Sequence, residues 1–205
     1  MSAGNSIVYV VDDDLSSRRS LEFLIKASGF KVQTFASSKE FLEFQRPDVP
    51  ACLVLDVRMP GLTGLELQKE LTRIGIRFPI VFVTGHGDIP MSVQAMKAGA
   101  VEFLTKPFRD DQMLRAVSLA IENDRVAYRE RLEMADLKER HARLTPRERE
   151  VMASVVTGLL NKQVAAELGA SEKTIKVHRA RVMQKMEAGS LADLVRMSEK
   201  LRTVG

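Results

Sequence analysis

Two periodicities run along this chain, and the point where one gives way to the other divides it. In the first part, short apolar runs each stop at a polar residue. Ile7-Val8-Tyr9-Val10-Val11 stops at Asp12-Asp13-Asp14, Ala51-Cys52-Leu53-Val54-Leu55 at Asp56, Pro79-Ile80-Val81-Phe82-Val83 at Thr84, and Val101 to Thr105 at Lys106-Pro107. Lys31 to Phe35 alternates as a short strand does. Short apolar runs bounded by turn residues suit strands buried on both faces. Between them the spacing becomes helical: Leu21, Leu24 and Ile25; Phe41, Leu42 and Phe44; Leu65, Leu67 and Leu71; then Pro90 to Ala98. Local punctuation agrees. Asp14 and Ser37 or Ser38 stand where N-caps belong, Gly29 where a helix closes, and Pro90 at a helix start, where proline is tolerated. Strands alternating with helices predict βαβ units, a parallel sheet and an open doubly wound α/β domain.

From Asp111 to about Arg140 there is no Gly and no Pro. Leu114, Val117, Ile121, Tyr128, Leu132 and Ala135 keep helical spacing, while charges dominate the second half. Two readings fit: one long helix, or a helix to about Asn123 followed by a mobile charged linker. The unbroken run favours the single helix. The predicted division is a first domain over 5–123, a linker over 124–140 that is helical and continuous with the helix before it, and a second domain over 141–205. In that second domain every signal is helical. Thr145 predicts an N-cap, with Pro146 first in the helix and Glu148 three residues after the cap. Asn161 predicts the cap of a second helix, Lys162 to Leu168, and Gly169 a turn. Ser171 predicts the cap of a third helix, Glu172 to about Met186. A fourth runs from about Leu191 to Leu201.

Composition changes this picture little: of 205 residues, 45% are hydrophobic and 28% charged, ordinary for a globular protein. A single cysteine, Cys52, excludes an internal disulfide framework and fits a reducing cytoplasm. Met1 to Asn5 shows no signal sequence, and no apolar stretch approaches the roughly 20 residues that span a bilayer, so no membrane partner is expected. Charge distribution says more than the net +4. Residues 1–140 hold 19 basic and 20 acidic side chains, residues 141–205 hold 12 and 7. A polyanionic partner should meet the second domain.

The strand ends carry the chemistry. Asp12, Asp13, Asp56, Thr84 and Lys106 all fall on the carboxyl edge of the predicted sheet, where open α/β sheets bind ligands. Three gathered carboxylates repel one another, and a divalent cation relieves them. Oxygen ligands suit Mg²⁺ or a similar ion such as Mn²⁺. A lysine and a threonine opposite would hold phosphoryl oxygens, so the set matches phosphoryl transfer. Each residue alone is an ordinary turn or strand-end residue; the combination is not. His86 reads as a loop residue, and with His141 and His178 far away in sequence a histidine metal site is not expected.

On Asp12-Asp13, Asp56 with Met59-Pro60-Gly61, Thr84-Gly85 and Lys106-Pro107-Phe108, the first domain resembles the receiver domain of bacterial two-component response regulators. The resemblance implies a flavodoxin-like five-stranded parallel sheet with Asp56 as phosphoacceptor. It implies direct Mg²⁺ ligation by Asp13 and Asp56, with Asp12 acting through water and the main-chain carbonyl of Arg58 as a third protein ligand. Thr84 and Lys106 would read the phosphoryl group. Phe103 falls at the aromatic switch position and lacks a phenol hydroxyl. Lys106-Pro107 would be cis.

Lys162 to Val177 has helix-turn-helix character, and the helix from Glu172 is basic. Lys173, Thr174, Lys176, Val177, His178, Arg179, Arg181 and Lys185 are its candidates for phosphates and base edges. On Leu144 to Val151 and Thr174-Ile175-Lys176-Val177-His178 this domain resembles the all-α, four-helix DNA-binding domain of NarL/FixJ regulators, also called LuxR-type. Gly85-His86-Gly87-Asp88-Ile89-Pro90 adds likeness to the FixJ branch. Base contacts would fall on Lys176 and Val177, while Ala180 stands where some relatives have lysine.

The reading that follows is a cytoplasmic transcription regulator. A sensor histidine kinase phosphorylates it, and it forms a homodimer through Val93, Met96 and Lys97 and binds double-stranded promoter DNA, with RNA polymerase as a further candidate partner. It is no enzyme beyond slow autodephosphorylation. The rival is an aspartyl-phosphate phosphatase or phosphotransferase with Asp56 as nucleophile. No insertion is large enough for the cap or substrate pocket that such an enzyme needs.

Overall fold

The computed structural model describes residues 6–85 and 89–203. His86, Gly87 and Asp88 therefore lie outside the described residues. Contacts divide the chain between Tyr128 and Arg129 into two compact units.

In the first unit β1 (Ile7–Val11), β2 (Lys31–Phe35), β3 (Ala51–Asp56), β4 (Ile80–Thr84) and β5 (Glu102–Thr105) alternate with helices α1 (Leu15–Ala27), α2 (Ser38–Glu43), α3 (Gly64–Arg73) and α4 (Ile89–Lys97). The strands form one sheet in the order β2-β1-β3-β4-β5, with every pair parallel. Alternate residues of each strand serve opposite cores, as the period of two requires. Val8, Val10, Cys52, Val54, Val81 and Val83 meet α1 and α5 on one face. Tyr9, Val11, Leu53, Leu55 and Phe82 meet Phe41, Leu67, Leu71 and Ala95 on the other. β3 is buried along its whole length, which explains its unbroken apolar spelling. Asp14 caps α1 by accepting from Ser17 N–H at 2.7 Å, and Ser37 caps α2.

α5 (Asp110–Ala142) is one helix of 33 residues and crosses the division between the units. Met113, Ala116, Val117, Ala120 and Ile121 fill the first core. Farther along, Asp124 is buried and accepts from the Ala51 N–H at 2.8 Å, fixing the start of β3, and the Tyr128 hydroxyl donates to the Asp48 carbonyl at 3.0 Å. Met134 and Leu137 belong to the core of the second unit. Residues 124–140 thus have partners in both units rather than forming a free spacer.

The second unit adds α6 (Pro146–Val155), α7 (Asn161–Glu167), α8 (Glu172–Met186) and α9 (Leu191–Arg202). α6 opens with Thr145 and Glu148 in a capping box, with Pro146 in the first turn. Leu144, Val151, Met152, Val155, Val164, Ile175, Val182, Met186 and Leu194 make its core. Among the described residues no helix is long and apolar enough to cross a membrane.

Candidate functional site

The sheet order places β1 beside β3 while the chain has gone outward to β2 and returned. Beyond the carboxyl ends of those two strands lies the crevice where such folds bind ligands. Asp12 and Asp13 follow β1, and Asp56 closes β3. One oxygen of each lies within 4.8 Å of the others. Asp12 and Asp56 are buried, while Asp13 is exposed. Asp12 is held on both sides: its Oδ1 accepts from the Asp14 N–H at 2.9 Å, and its Oδ2 accepts from the Ser17 hydroxyl at 2.6 Å and from Lys106 Nζ at 2.8 Å. Lys106 Nζ stands 3.9 Å from Asp56 Oδ1, too far for a hydrogen bond. Burial pushes the Asp56 carboxyl up to about 6; Lys106 opposes that shift, and the Asp12 and Asp13 charges add to it.

The two remaining strand ends complete the edge. Thr84 is buried at the end of β4, and its carbonyl accepts from the Lys106 N–H at 2.7 Å. The Lys106-Pro107 bond is cis. Phe103, half-buried on β5, has its ring 6.2 Å from that of Phe82. The loop after Asp56 carries Arg58, whose side chain is exposed, and returns at Gly64, whose N–H donates to the Val57 carbonyl at 3.0 Å. A Cβ on Gly64 would lie 2.2 Å from the Asp56 carbonyl oxygen, so only glycine lets α3 begin this close to β3.

In the second unit α7 and α8 meet across Gly169, which has φ 60°. Val164, Ile175 and Val182 are buried between the helices, and Ser171 caps α8 by accepting from the Thr174 N–H at 3.1 Å. Opposite Ile175 and Val182, α8 presents Lys173, Thr174, Lys176, Val177 and Arg181 to solvent. An exposed cationic face on the second helix of such a pair is the arrangement that reads a major groove.

Comparison with known proteins agrees with both halves. Residues 8–118 match the response regulator receiver domain, and residues 142–198 match the luxR family of bacterial regulatory proteins. The chain is 57% identical to Nodulation protein W of Bradyrhizobium diazoefficiens over 196 residues, covering 96% of this chain and 86% of that one. The solved structure of the response regulator StyR superposes with a TM-score of 0.88 at 48% identity, covering 95% of this chain and 98% of that one. Full-length FixJ of B. japonicum gives 0.56 at 42% identity, covering 98% and 99%. This chain belongs to the NarL/FixJ family of two-component response regulators. It is a phosphorylation-activated transcription regulator, and its receiver half implies a histidine kinase partner, its luxR half DNA.

The acidic pocket of this response regulator fits a divalent cation: three carboxylates converge, and hard oxygen donors suit such an ion. Two expected residues take other work. Lys185 Nζ bonds the buried Glu148 Oε2 at 2.6 Å and the Arg143 carbonyl at 3.1 Å, so its ammonium is committed inside the unit instead of facing DNA. The Lys185 hydrogen bond also holds the Glu148 carboxyl below its usual range. Asn161 is the first residue of α7 rather than its cap, and its Oδ1 accepts from Arg179 Nη1 at 3.2 Å. Arg179 and its neighbour His178 are both half-buried. Val93, Met96 and Lys97 lie on the exposed face of α4, with Ala95 turned inward. Ser17, which bridges Asp12 and Lys106, was not expected from the sequence. Its only local signal is a serine in the first turn after an aspartate cap.

Proposed function

We propose that Asp56 is the phosphoacceptor through which this regulator is switched. The observation that carries the proposal is a buried carboxylate at the end of β3, with two more carboxylates gathered on it and a lysine 3.9 Å away. An Asp56 oxygen attacks the phosphorus of a phosphohistidine or of acetyl phosphate. The P–N or P–O bond to the donor breaks, and its electron pair leaves with the donor. Mg²⁺, or Mn²⁺ in its place, bound among the carboxylates supplies charge neutralisation for that transfer. Asp13, Asp56 and the Arg58 main-chain carbonyl are its proposed direct protein ligands, with Asp12 acting through water. Lys106 takes a phosphoryl oxygen, and the Thr84 hydroxyl turns toward the group once it is present. Phe103, packed on Phe82, follows that movement. Slow autodephosphorylation resets the switch.

The output is assigned to the second unit, acting in the cytoplasm where promoter DNA lies. The phosphorylated receiver pairs with another through α4 and β5, with Val93, Met96 and Lys97 at the contact, so that two α8 helices address a two-fold site. Lys176 and Val177 read base edges. Lys173, Thr174, His178, Arg179 and Arg181 meet phosphates or flanking bases. RNA polymerase is the proposed next partner. Incubation with acetyl phosphate and Mg²⁺ tests the core of this reading: the wild type takes up one equivalent of base-labile phosphate and Asp56→Asn takes up none. Normal labelling of the variant would refute the assignment. Sustained turnover of a phosphate ester would revive the enzyme reading.

A further inference from the structure

We infer that Ser17 is a positioning residue for the phosphoryl transfer, holding Lys106 at a fixed standoff from Asp56. The inference rests on the assignment of Asp56 as phosphoacceptor. Ser17 Oγ, Asp12 Oδ2 and Lys106 Nζ form a closed triangle with sides of 2.6, 2.7 and 2.8 Å. The hydroxyl donates to the carboxylate and accepts from the ammonium. Ser17 is itself fixed, because its N–H is held by the α1 cap Asp14 at 2.7 Å. Lys106 has a long, flexible side chain and is not otherwise confined. A cavity of about 310 Å³ whose lining includes Ser17, Ser20, Leu21, Lys106, Phe108 and Asp110 opens beside it. The ammonium therefore has three places to go: the Ser17–Asp12 seat, the cavity, or a direct ion pair with Asp56.

The seat is the useful one. At 3.9 Å from Asp56 Oδ1 the ammonium leaves the nucleophile uncovered and does not take a cation's place. A phosphoryl group on Asp56 extends its own oxygens outward, into hydrogen-bonding range of an ammonium at that distance. Without the Ser17 hydroxyl, Lys106 keeps only its bond to Asp12, and among the described residues the other carboxylate within 4.0 Å of the ammonium is Asp56. Lys106 then closes on Asp56, competes with the cation and shields the attacking oxygen.

The test compares Ser17→Ala, Ser17→Cys and Ser17→Thr in the full chain. Cysteine keeps the shape with a weak hydrogen bond, threonine keeps the hydroxyl, and the adjoining cavity has room for its methyl. Mn²⁺ affinity read by electron paramagnetic resonance, and the rate of labelling by acetyl phosphate, should both fall about three- to tenfold in Ser17→Ala and Ser17→Cys. That is the scale of one hydrogen bond. Ser17→Thr should recover most of the loss. In a Lys106→Ala background, Ser17→Ala should leave the labelling rate unchanged, because Ser17 acts through Lys106. An equal loss in both backgrounds, or wild-type behaviour of Ser17→Ala and Ser17→Cys, overturns the inference. Asp56→Asn is run alongside: if it labels, the phosphoacceptor assignment has failed, whereas normal Ser17→Ala with a silent Asp56→Asn sinks this inference alone.

Discussion

Asp56 sits in an environment that disfavours its charge, and this has a measurable cost. Its carboxyl is raised to about 6 from an ordinary 3.8, chiefly by burial. A raised acid destabilises the fold where it is ionised, fully above about 6 and not at all below 3.8. In cation-free buffer at pH 7, Asp56→Asn should therefore be more stable than wild type, by on the order of 2–3 kcal/mol. Urea titrations across pH should show that gain shrinking as the pH falls from 7 to 4, and Mg²⁺ should shrink it at pH 7 by stabilising wild type. A gain independent of pH would count against burial as the cause. Two lysines of α8 make a second contrast. Lys176 is exposed, with its nearest acid, Glu172, at 3.8 Å, and Lys185 is bonded to buried Glu148. Lys176→Ala should leave stability within about 0.5 kcal/mol and cost about 1–3 kcal/mol of discrimination at one base. Lys185→Ala should instead destabilise the unit by about 2–3 kcal/mol, because it strands the Glu148 charge while one side of the pair stays wet. Denaturation and DNA titration of both variants separate the roles. The positions of the five strand-end residues were legible because each ends its strand or follows it within two residues. Lys185 was misread, and Ser17 missed, because their partners Glu148 and Lys106 lie 37 and 89 residues away, brought close only by packing.

At the scale of elements, the capping signals read well. Asp14, Ser37, Thr145 and Ser171 each cap the helix that follows, because a cap is a local bond within three residues. The long run without Gly or Pro likewise spelled a helix, observed as α5. What the spacing could not tell is that α5 carries core residues at both ends. Met134 and Leu137 join the second core, and Arg140 donates to the Met186 carbonyl at 3.3 Å at the end of α8 while pairing with Asp136 and Glu187. A fragment spanning 129–205 should therefore melt cooperatively and well above one spanning 142–205. The shorter fragment loses a buried leucine, a half-buried methionine and the arginine at the α8 terminus. Losing Leu137 alone compares with a large-to-small core change of about 2–5 kcal/mol. Circular dichroism melts of the two fragments check this, and equal melting temperatures would show that these residues are dispensable.

For the molecule as a whole, activation is proposed to work through pairing, and α4 supplies the exposed apolar side chains. Val93 and Met96 are 44% and 45% exposed with Lys97 beside them, so a charge placed there should oppose pairing without disturbing the core. Met96→Glu should label normally at Asp56 yet remain monomeric in sedimentation experiments with a phosphoryl mimic, where wild type shifts to a dimer. Dimerisation of that variant at wild-type strength would move the contact elsewhere. The sequence disclosed the charge division as well as the fold class: the surplus of 12 basic over 7 acidic residues falls after residue 140, on the half that matches the luxR family. The division inside α5 also bears on how such regulators can be recombined. The receiver match ends at residue 118 and the luxR match begins at 142, which invites a splice anywhere between. Yet Asp124 closes a hydrogen bond at the root of β3, and Leu137 fills the far core. A chimera joined at 118 or at 142 takes a working part from one parent or the other. The junction that leaves both parents whole lies between Tyr128 and Arg129, in mid-helix.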